Sequence, residues 1–414
     1  MQSISRFVFI SAAVLLFAST LFAGTEKVLF NDAEPAGYPP SNGLIFDSAG
    51  NLYGSAFNGA SQACSNGQGG CGVIFELSRQ KNGSWAYTEI YKFTGASDGL
   101  HPDTNLVFDA AGNLYGATYG SRNDASGDPA AAKSYGTVFK LSPNPSGPWN
   151  FTLLYTFTGG SGGQEPNSIA IDASGNVYGT TPNGGSANQG FVFQLTPTTS
   201  GPWNETVIHD FTGCQDGGYP IEVAFDQKGN LYGTAWYGGA AACATPGGVV
   251  FQLTPQSGGV WQETEIYSFD AGTDGGYPQT LAFDSAGDIY GTCDLGGKNG
   301  EGLVFKLTQS NGQWSETDLH SFNGQNGFEP ESLVLGSGGV LYGTVRYNGQ
   351  SGAGLVYELI PKTGTKETIV YQFTGRSDGG NPDGGIVLDK AGNIYGGTLE
   401  GGSQQVGVVF QVTP

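Results

Sequence analysis

Short runs of β-branched, aromatic and aliphatic residues alternate along the chain with stretches rich in Gly, Asn, Asp, Ser and Pro. Apolar runs bounded by turn formers predict β-strands. After the first 23 residues no segment of useful length shows the spacing of an amphipathic helix. Seven times a strand-like segment runs through a tight turn into Tyr-Gly: LIFDSAGNLYG, LVFDAAGNLYG, IAIDASGNVYG, VAFDQKGNLYG, LAFDSAGDIYG, LVLGSGGVLYG and IVLDKAGNIYG. The tyrosines, Tyr53, Tyr115, Tyr178, Tyr232, Tyr290, Tyr342 and Tyr395, recur about every 57 residues. Further apolar segments follow, centred on Phe75 and its six equivalents and then ending at Phe93 and its equivalents. A fixed period of this size marks an array of one supersecondary unit. Four short strands per unit predict the antiparallel blades of a β-propeller.

The first strand of each unit is apolar at consecutive positions, as in Leu44-Ile45-Phe46. That pattern predicts a strand buried on both faces, placed innermost in its blade. Strand counting predicts how the ring closes. The seventh unit reaches Pro414 after three strands, while Thr25-Glu26-Lys27-Val28-Leu29-Phe30 matches the fourth-strand pattern Thr88-Glu89-Ile90-Tyr91-Lys92-Phe93. The expectation is therefore all-β: one seven-bladed propeller over residues 24–414, closed by residues 25–30, with repeats from about 43, 99, 163, 217, 275, 327 and 379. Closure would remove two exposed sheet edges.

Composition narrows the function classes. The 71 glycines carry no three-residue period, which excludes collagen, and abundant aromatics with few charges argue against disorder. A net charge of −20 argues against nucleic acid and anionic membranes as partners. Residues 1–23 carry one charge, Arg6, then an apolar stretch and a small-residue end at Ala23, the pattern of a cleaved secretory signal. No second apolar stretch is long enough to span a bilayer. An exported, monomeric protein of the periplasm, cell surface or medium is expected.

The xFDxxGNLYGT unit, with GxVFxLTP and an aromatic-terminated fourth strand, resembles the GloVer tandem repeat of exported bacterial "choice-of-anchor" proteins. More distantly it is similar to NHL-type propeller repeats. The resemblance covers essentially the whole chain after residue 23. It implies export and a propeller, and brings no reaction with it.

Residues repeated in every blade point to architecture. Asp47, Asp109, Asp172, Asp226, Asp284 and Asp389 open D-x-x-G turns, whose backbone an Asp side chain caps. Blade six has Gly336 there. Trp85, Trp149, Trp203, Trp261 and Trp314 stand at one place before the fourth strand, where packing is expected. Asp98, Asp216, Asp274 and Asp378 open the Asp-Gly connections between blades. They are expected to be turn residues, with a calcium ion as the alternative cofactor. The three histidines, His101, His209 and His320, form no catalytic motif, and no nucleophile, metal or phosphate-loop pattern occurs in a supporting context.

Variation between blades is the functional signal. The loop between second and third strands is lengthened by 7, 9 and 4 residues in blades one, two and four, and nowhere else. Variable loops on a rigid scaffold mark a binding face. Phe57, Tyr119, Trp236, Tyr237, Arg346 and Tyr347 cluster at these loops, and Glu222 and Asn105 are expected at the mouth of the channel. The expected function is non-catalytic binding of a glycan or partner protein on that face. The rival is a lyase- or lactonase-like enzyme at the channel mouth. Five cysteines suit an oxidising compartment. Cys64–Cys71 and Cys214–Cys243 are the expected disulfides and Cys293 the odd thiol, with Cys243–Cys293 as the alternative.

Overall fold

The computed structural model describes residues 24–31, 40–59, 70–120, 134–199, 201–239, 247–348, 351–361 and 365–414. The expected signal, Cys64 and Cys243 fall outside these residues. The fold is a ring of seven sheets, each of four strands paired in simple up-and-down order. Blade four is typical, with strands Gly218–Phe225, Leu231–Tyr237, Val249–Pro255 and Trp261–Ser268 from the axis outwards. Among the described residues there is no α-helix, only two single 3₁₀ turns.

The ring closes as the strand count requires. Thr25–Asn31 pairs antiparallel with Val408–Thr413, from Thr25 opposite Thr413 to Asn31 opposite Val408. It becomes the outer strand of a blade begun by Gly380–Leu388. Phe30 stacks on Tyr87 of blade one with centroids 4.1 Å apart.

The repeated residues hold this architecture. Asp47 Oδ1 accepts from the backbone N–H groups of Ala49 and Asn51, and Oδ2 accepts from the Asn51 amide and, at 3.3 Å, the Tyr53 hydroxyl. The same set recurs at Asp109, Asp172 and Asp389. The Tyr ring then takes an aromatic edge from the next blade's inner strand, as in Tyr53–Phe108 at 5.2 Å and Tyr178–Phe225 at 5.3 Å. It also meets that blade's tryptophan, as in Tyr53–Trp149 and Tyr178–Trp261. The glycine after each Tyr faces a third-strand ring: Gly233 is paired with Phe251, and a Cβ there would collide with the ring and with the Glu222 carbonyl.

The inner strand is not the most enclosed one. Gly218–Phe225 alternates buried and part-exposed positions, whereas Leu52–Ala56, Leu114–Thr118 and Val177–Thr181 are buried throughout. One face of an inner strand looks into the axial channel. The second strand is covered on both faces by adjacent blades, so its small residues Gly, Ala, Ser and Thr are an equal sign of burial.

A latch joins successive blades. The residue before each inner-strand proline is left-handed in all six described cases, with φ from 53° to 60°: His101, Glu165, Tyr219, Tyr277, Glu329 and Asn381. In five of them the N–H bonds a carbonyl of the preceding blade, as Tyr219 to Gln189 at 2.7 Å and Tyr277 to Gly247 at 2.9 Å. The proline ring then rests on that blade's next glycine. A Cβ on Gly248 would lie 2.5 Å from Pro278 Cδ.

Candidate functional site

All seven residues placed four before the turn position line an axial cavity of about 270 Å³. Most of those with side chains work as straps between inner strands. Asn105 makes paired bonds to the backbone of Ile169, with Nδ2 donating at 2.8 Å and Oδ1 accepting at 2.9 Å. Ser168 Oγ accepts from Val223 N–H at 3.3 Å, and Glu222 Oε2 from Leu281 N–H at 2.7 Å. Burial pushes the Glu222 carboxyl up to about 7, against the pull of those hydrogen bonds.

At the face where the connections between blades enter, Glu331 and Asp383 of blades six and seven flank Arg346. Arg346 Nε lies 3.1 Å from Glu331 Oε1, and the guanidinium is also paired with Asp383. Burial raises both acids, Glu331 further through the Asp383 charge, while Arg346 opposes it. Gln279 donates to Asp294 Oδ2, and Asp294 Oδ1 is enclosed with no hydrogen-bond partner among the described residues. Burial, reinforced by the Glu329 charge, pushes Asp294 up to about 7.

Aromatic rings border these acids. Tyr219 stacks on Trp236 at 5.2 Å and 17°, Tyr277 reaches Trp236 at 5.8 Å, and Tyr237 stands edge-on to Tyr277 at 5.6 Å. All four rings are half-buried. Tyr277 lies between Gly276, paired with Leu295, and Pro278, paired with Cys293, and so stands opposite Asp294 in the ladder. Gln279, two residues on, lines the axial cavity and donates to Asp294, so the aromatic group adjoins the acids.

Trp236 and Tyr237 end the second strand, Leu231–Tyr237, rather than standing in the inserted loop. Phe57 and Tyr119 meet across blades one and two, where His101 stacks on Phe57 at 4.3 Å and its Nδ1 lies 2.9 Å from the Phe57 carbonyl oxygen. Tyr347 stacks on Phe328 at 5.2 Å. Sequence reasoning passed over Tyr219, Tyr277, Glu329, Glu331, Asp294 and Asp383. For Tyr219, Tyr277 and Glu329 the available signal is the changing residue before each inner-strand proline, and for Asp294 the change between blades at the second-strand position shared with Trp236 and Arg346.

The connection aspartates serve their own turns. Asp98 accepts from the Thr94 backbone and hydroxyl at 2.8 and 2.7 Å and from Tyr91 at 3.0 Å, and Asp378 repeats the set with Thr374 and Tyr371. Among the described residues no three His, Cys, Asp or Glu are grouped to hold a metal ion. His209 and His320 sit edge-on to Phe211 and Phe322, as Tyr91 sits on Phe93. They are packing substitutions. Cys293 is a free, fully buried thiol, which removes the Cys243–Cys293 alternative. Neither Cys71 nor Cys214 is free. Peptide mapping without reduction is expected to recover Cys64–Cys71 and Cys214–Cys243, and a carbamidomethylated Cys214 would refute that pairing.

The raised acids imply a pH dependence of stability. Glu222, Asp294 and Glu316, raised chiefly by burial to about 7, keep a proton in the fold that the unfolded chain releases near the ordinary carboxyl values of 3.8 for Asp and 4.5 for Glu. Above those values the unfolded state binds fewer protons, so stability falls as pH rises through about 4 to 7. The melting temperature should be lower at pH 8 than at pH 5, and an equal or higher value at pH 8 would contradict the burial of these groups.

Among solved structures, the chain is similar to virginiamycin B lyase from Staphylococcus aureus, an inactive variant with quinupristin, at TM-score 0.58 and 13% identity, covering 94% of this chain and 99% of that one. It is also similar to the extracellular domain of a protein described as a hybrid two-component system from Bacteroides thetaiotaomicron, at TM-score 0.53 and 13% identity, covering 94% of this chain and 41% of that one. A third is a protein described as a 6-phosphogluconolactonase from Bacteroides uniformis, at TM-score 0.53 and 14% identity, covering 81% of this chain and 86% of that one. At such identities the likeness is one of fold. No curated protein matches in sequence. The model of the Gloeobacter/Verrucomicrobia repeat matches residues 129–316 and 244–414, together well over half of the chain. With seven blades built on that repeat, the chain belongs to the Gloeobacter/Verrucomicrobia repeat family.

Proposed function

We propose that this protein is an exported, non-catalytic binder of a saccharide, held at the channel mouth on the face of the variable loops. The observation that carries the reading is the half-buried aromatic group Tyr219, Trp236, Tyr237 and Tyr277, adjoining an acid- and amide-lined recess through Gln279 and Asp294. Aromatic faces stack on the apolar face of a sugar ring, and carboxylates and amides accept and donate to its hydroxyls. Convergent polar groups around an apolar platform are the common form of a small-ligand site. Trp236→Ala is expected to weaken binding to an arrayed glycan by at least about tenfold, equivalent to about 1.4 kcal/mol. Because the ring packs on Tyr219 and Tyr277, stability should also fall, by about 1 to 3 kcal/mol. A variant that folds and binds as well as the wild type would place the ligand elsewhere.

Enzymatic action at the same mouth is the second reading, favoured by the raised Asp294 and Glu331 carboxyls beside Arg346. A carboxyl that holds its proton near neutral pH can act as a general acid. Turnover of a bound saccharide, abolished by Glu331→Gln with binding retained, would establish it. Binding without any new product supports the non-catalytic reading.

A further inference from the structure

Six described blades share one backbone device that carries four kinds of side chain among them. His101, Glu165, Tyr219, Tyr277, Glu329 and Asn381 all take the left-handed conformation, immediately before a proline that rests on the preceding blade. For residues other than Gly and Asn such a φ costs roughly 1 to 2 kcal/mol. A residue needed only for the latch would therefore be Gly or Asn in every blade. One blade has Asn, and the others bear an imidazole, two carboxylates and two phenols. The latch uses the backbone N–H and the proline ring, so it places no demand on the side chain. What the fold fixes is the position of the Cα, and what differs between blades is the group presented there.

Three consecutive members stand within the site. Tyr219 and Tyr277 both contact the Trp236 ring. Glu329, between Phe328 paired with Tyr347 and Pro330 paired with Val345, stands opposite Arg346 as Tyr277 stands opposite Asp294 one blade earlier. We infer that the pre-proline residues of blades four, five and six, Tyr219, Tyr277 and Glu329, are the specificity-determining residues of the saccharide site. The inference rests on the proposed function and deepens it. The two phenols form the stacking platform with Trp236 and set affinity for any sugar chain laid across the mouth. Glu329 stands at the blade-six end of that path and distinguishes a sugar bearing an ammonium group from a neutral one. His101, across the ring, is stacked on Phe57 and bonded to its carbonyl, and takes no part.

The test uses the whole exported chain and calorimetric titration with three probes, the β-1,4-linked hexamers of glucose, N-acetylglucosamine and glucosamine. Tyr219→Asn and Tyr277→Asn keep a residue suited to the left-handed backbone, while the Tyr→Phe variants keep the ring. Each Asn variant should weaken every hexamer that the wild type binds by at least about tenfold, and each Phe variant should restore binding to within about threefold. Glu329→Gln should weaken the glucosamine hexamer by about tenfold relative to the neutral two. His101→Asn should change none of them. If Trp236→Ala abolishes binding while the folded Asn variants bind normally, the inference fails and the saccharide reading stands. If Glu329→Gln weakens all three hexamers equally, its role in specificity fails. If the wild type binds no hexamer, both readings fall. Should an Asn variant not fold, Tyr277→Gly, which relieves the backbone strain, replaces it with the same expected loss.

Discussion

Deleting Gly24–Asn31 should open the ring and leave a protein that aggregates or melts far below the intact chain. The segment is the outer strand of blade seven, paired along Val408–Thr413. Its removal exposes a third strand whose Val409, Phe410 and Val412 are now wholly enclosed. It also removes the Gly24 N–H bond to Val370 O at 2.9 Å and the Asn31 side chain that accepts from Ser403 N–H at 2.9 Å. Loss of a whole ladder with its apolar cover exceeds the range of ordinary point substitutions, so a cost on the order of 5 kcal/mol or more is expected. The unpaired edge left behind is a template for association with other chains. Calorimetry and light scattering decide the matter. An unchanged melting temperature with a monomeric product would show that the strand is dispensable.

The second large effect is expected from a single methyl group. In Gly248→Ala the new Cβ would lie 2.5 Å from Pro278 Cδ, 2.6 Å from the Ala235 carbonyl and 2.8 Å from the Trp236 carbonyl, at a φ of +110°. Two of these obstacles are backbone and the third is a proline locked in the latch, so none can swing aside. Backbone strain of about 1 to 3 kcal/mol adds to overpacking of similar size, and a loss of about 4 kcal/mol is expected. Gly229→Ala is the control, with φ at +84° and nothing within 4 Å of the new Cβ. It should cost only about 1 to 2 kcal/mol. Equal losses in the two variants would mean that strain alone acts and that the latch at Pro278 contributes little.

The blade count, the four-strand repeat and ring closure were legible because each unit repeats its own turn chemistry. An Asp that caps a D-x-x-G turn and also receives a Tyr hydroxyl six residues on leaves a mark at fixed spacing, whatever the neighbouring blades are doing. The tryptophan series is legible as packing for the same reason, and Trp149 and Trp261 pack on Tyr53 and Tyr178. Enclosure was harder to read. Apolar runs pointed to the inner strand as the most buried, yet its channel face is open, while the Gly-Ala-Ser-Thr second strands are covered on both sides. A hydrophobic run records what a strand can bury, not which surface comes to lie over it.

The candidate site divides along the same line. Trp236, Tyr237 and Arg346 stood out from sequence because blades differ there. Their companions Tyr219, Tyr277 and Glu331 did not, since they stand on inner strands that only the fold lays beside those rings and that guanidinium. Asp294 holds the blade-five equivalent of the Trp236 and Arg346 position, and only its enclosure beside Gln279 marks it. Glu222 and Asn105 showed up as channel residues, but only the folded ring reveals them as straps bonded to the next blade's backbone. The sequence by itself determined the blade, its number and the way the ends meet, because these rest on local turn chemistry and on counting strands. The tertiary structure decided which side chains meet at the mouth, where two of the left-handed residues, Tyr219 and Tyr277, share the Trp236 ring. Those contacts form between blades, and the geometry of the closed ring alone sets them.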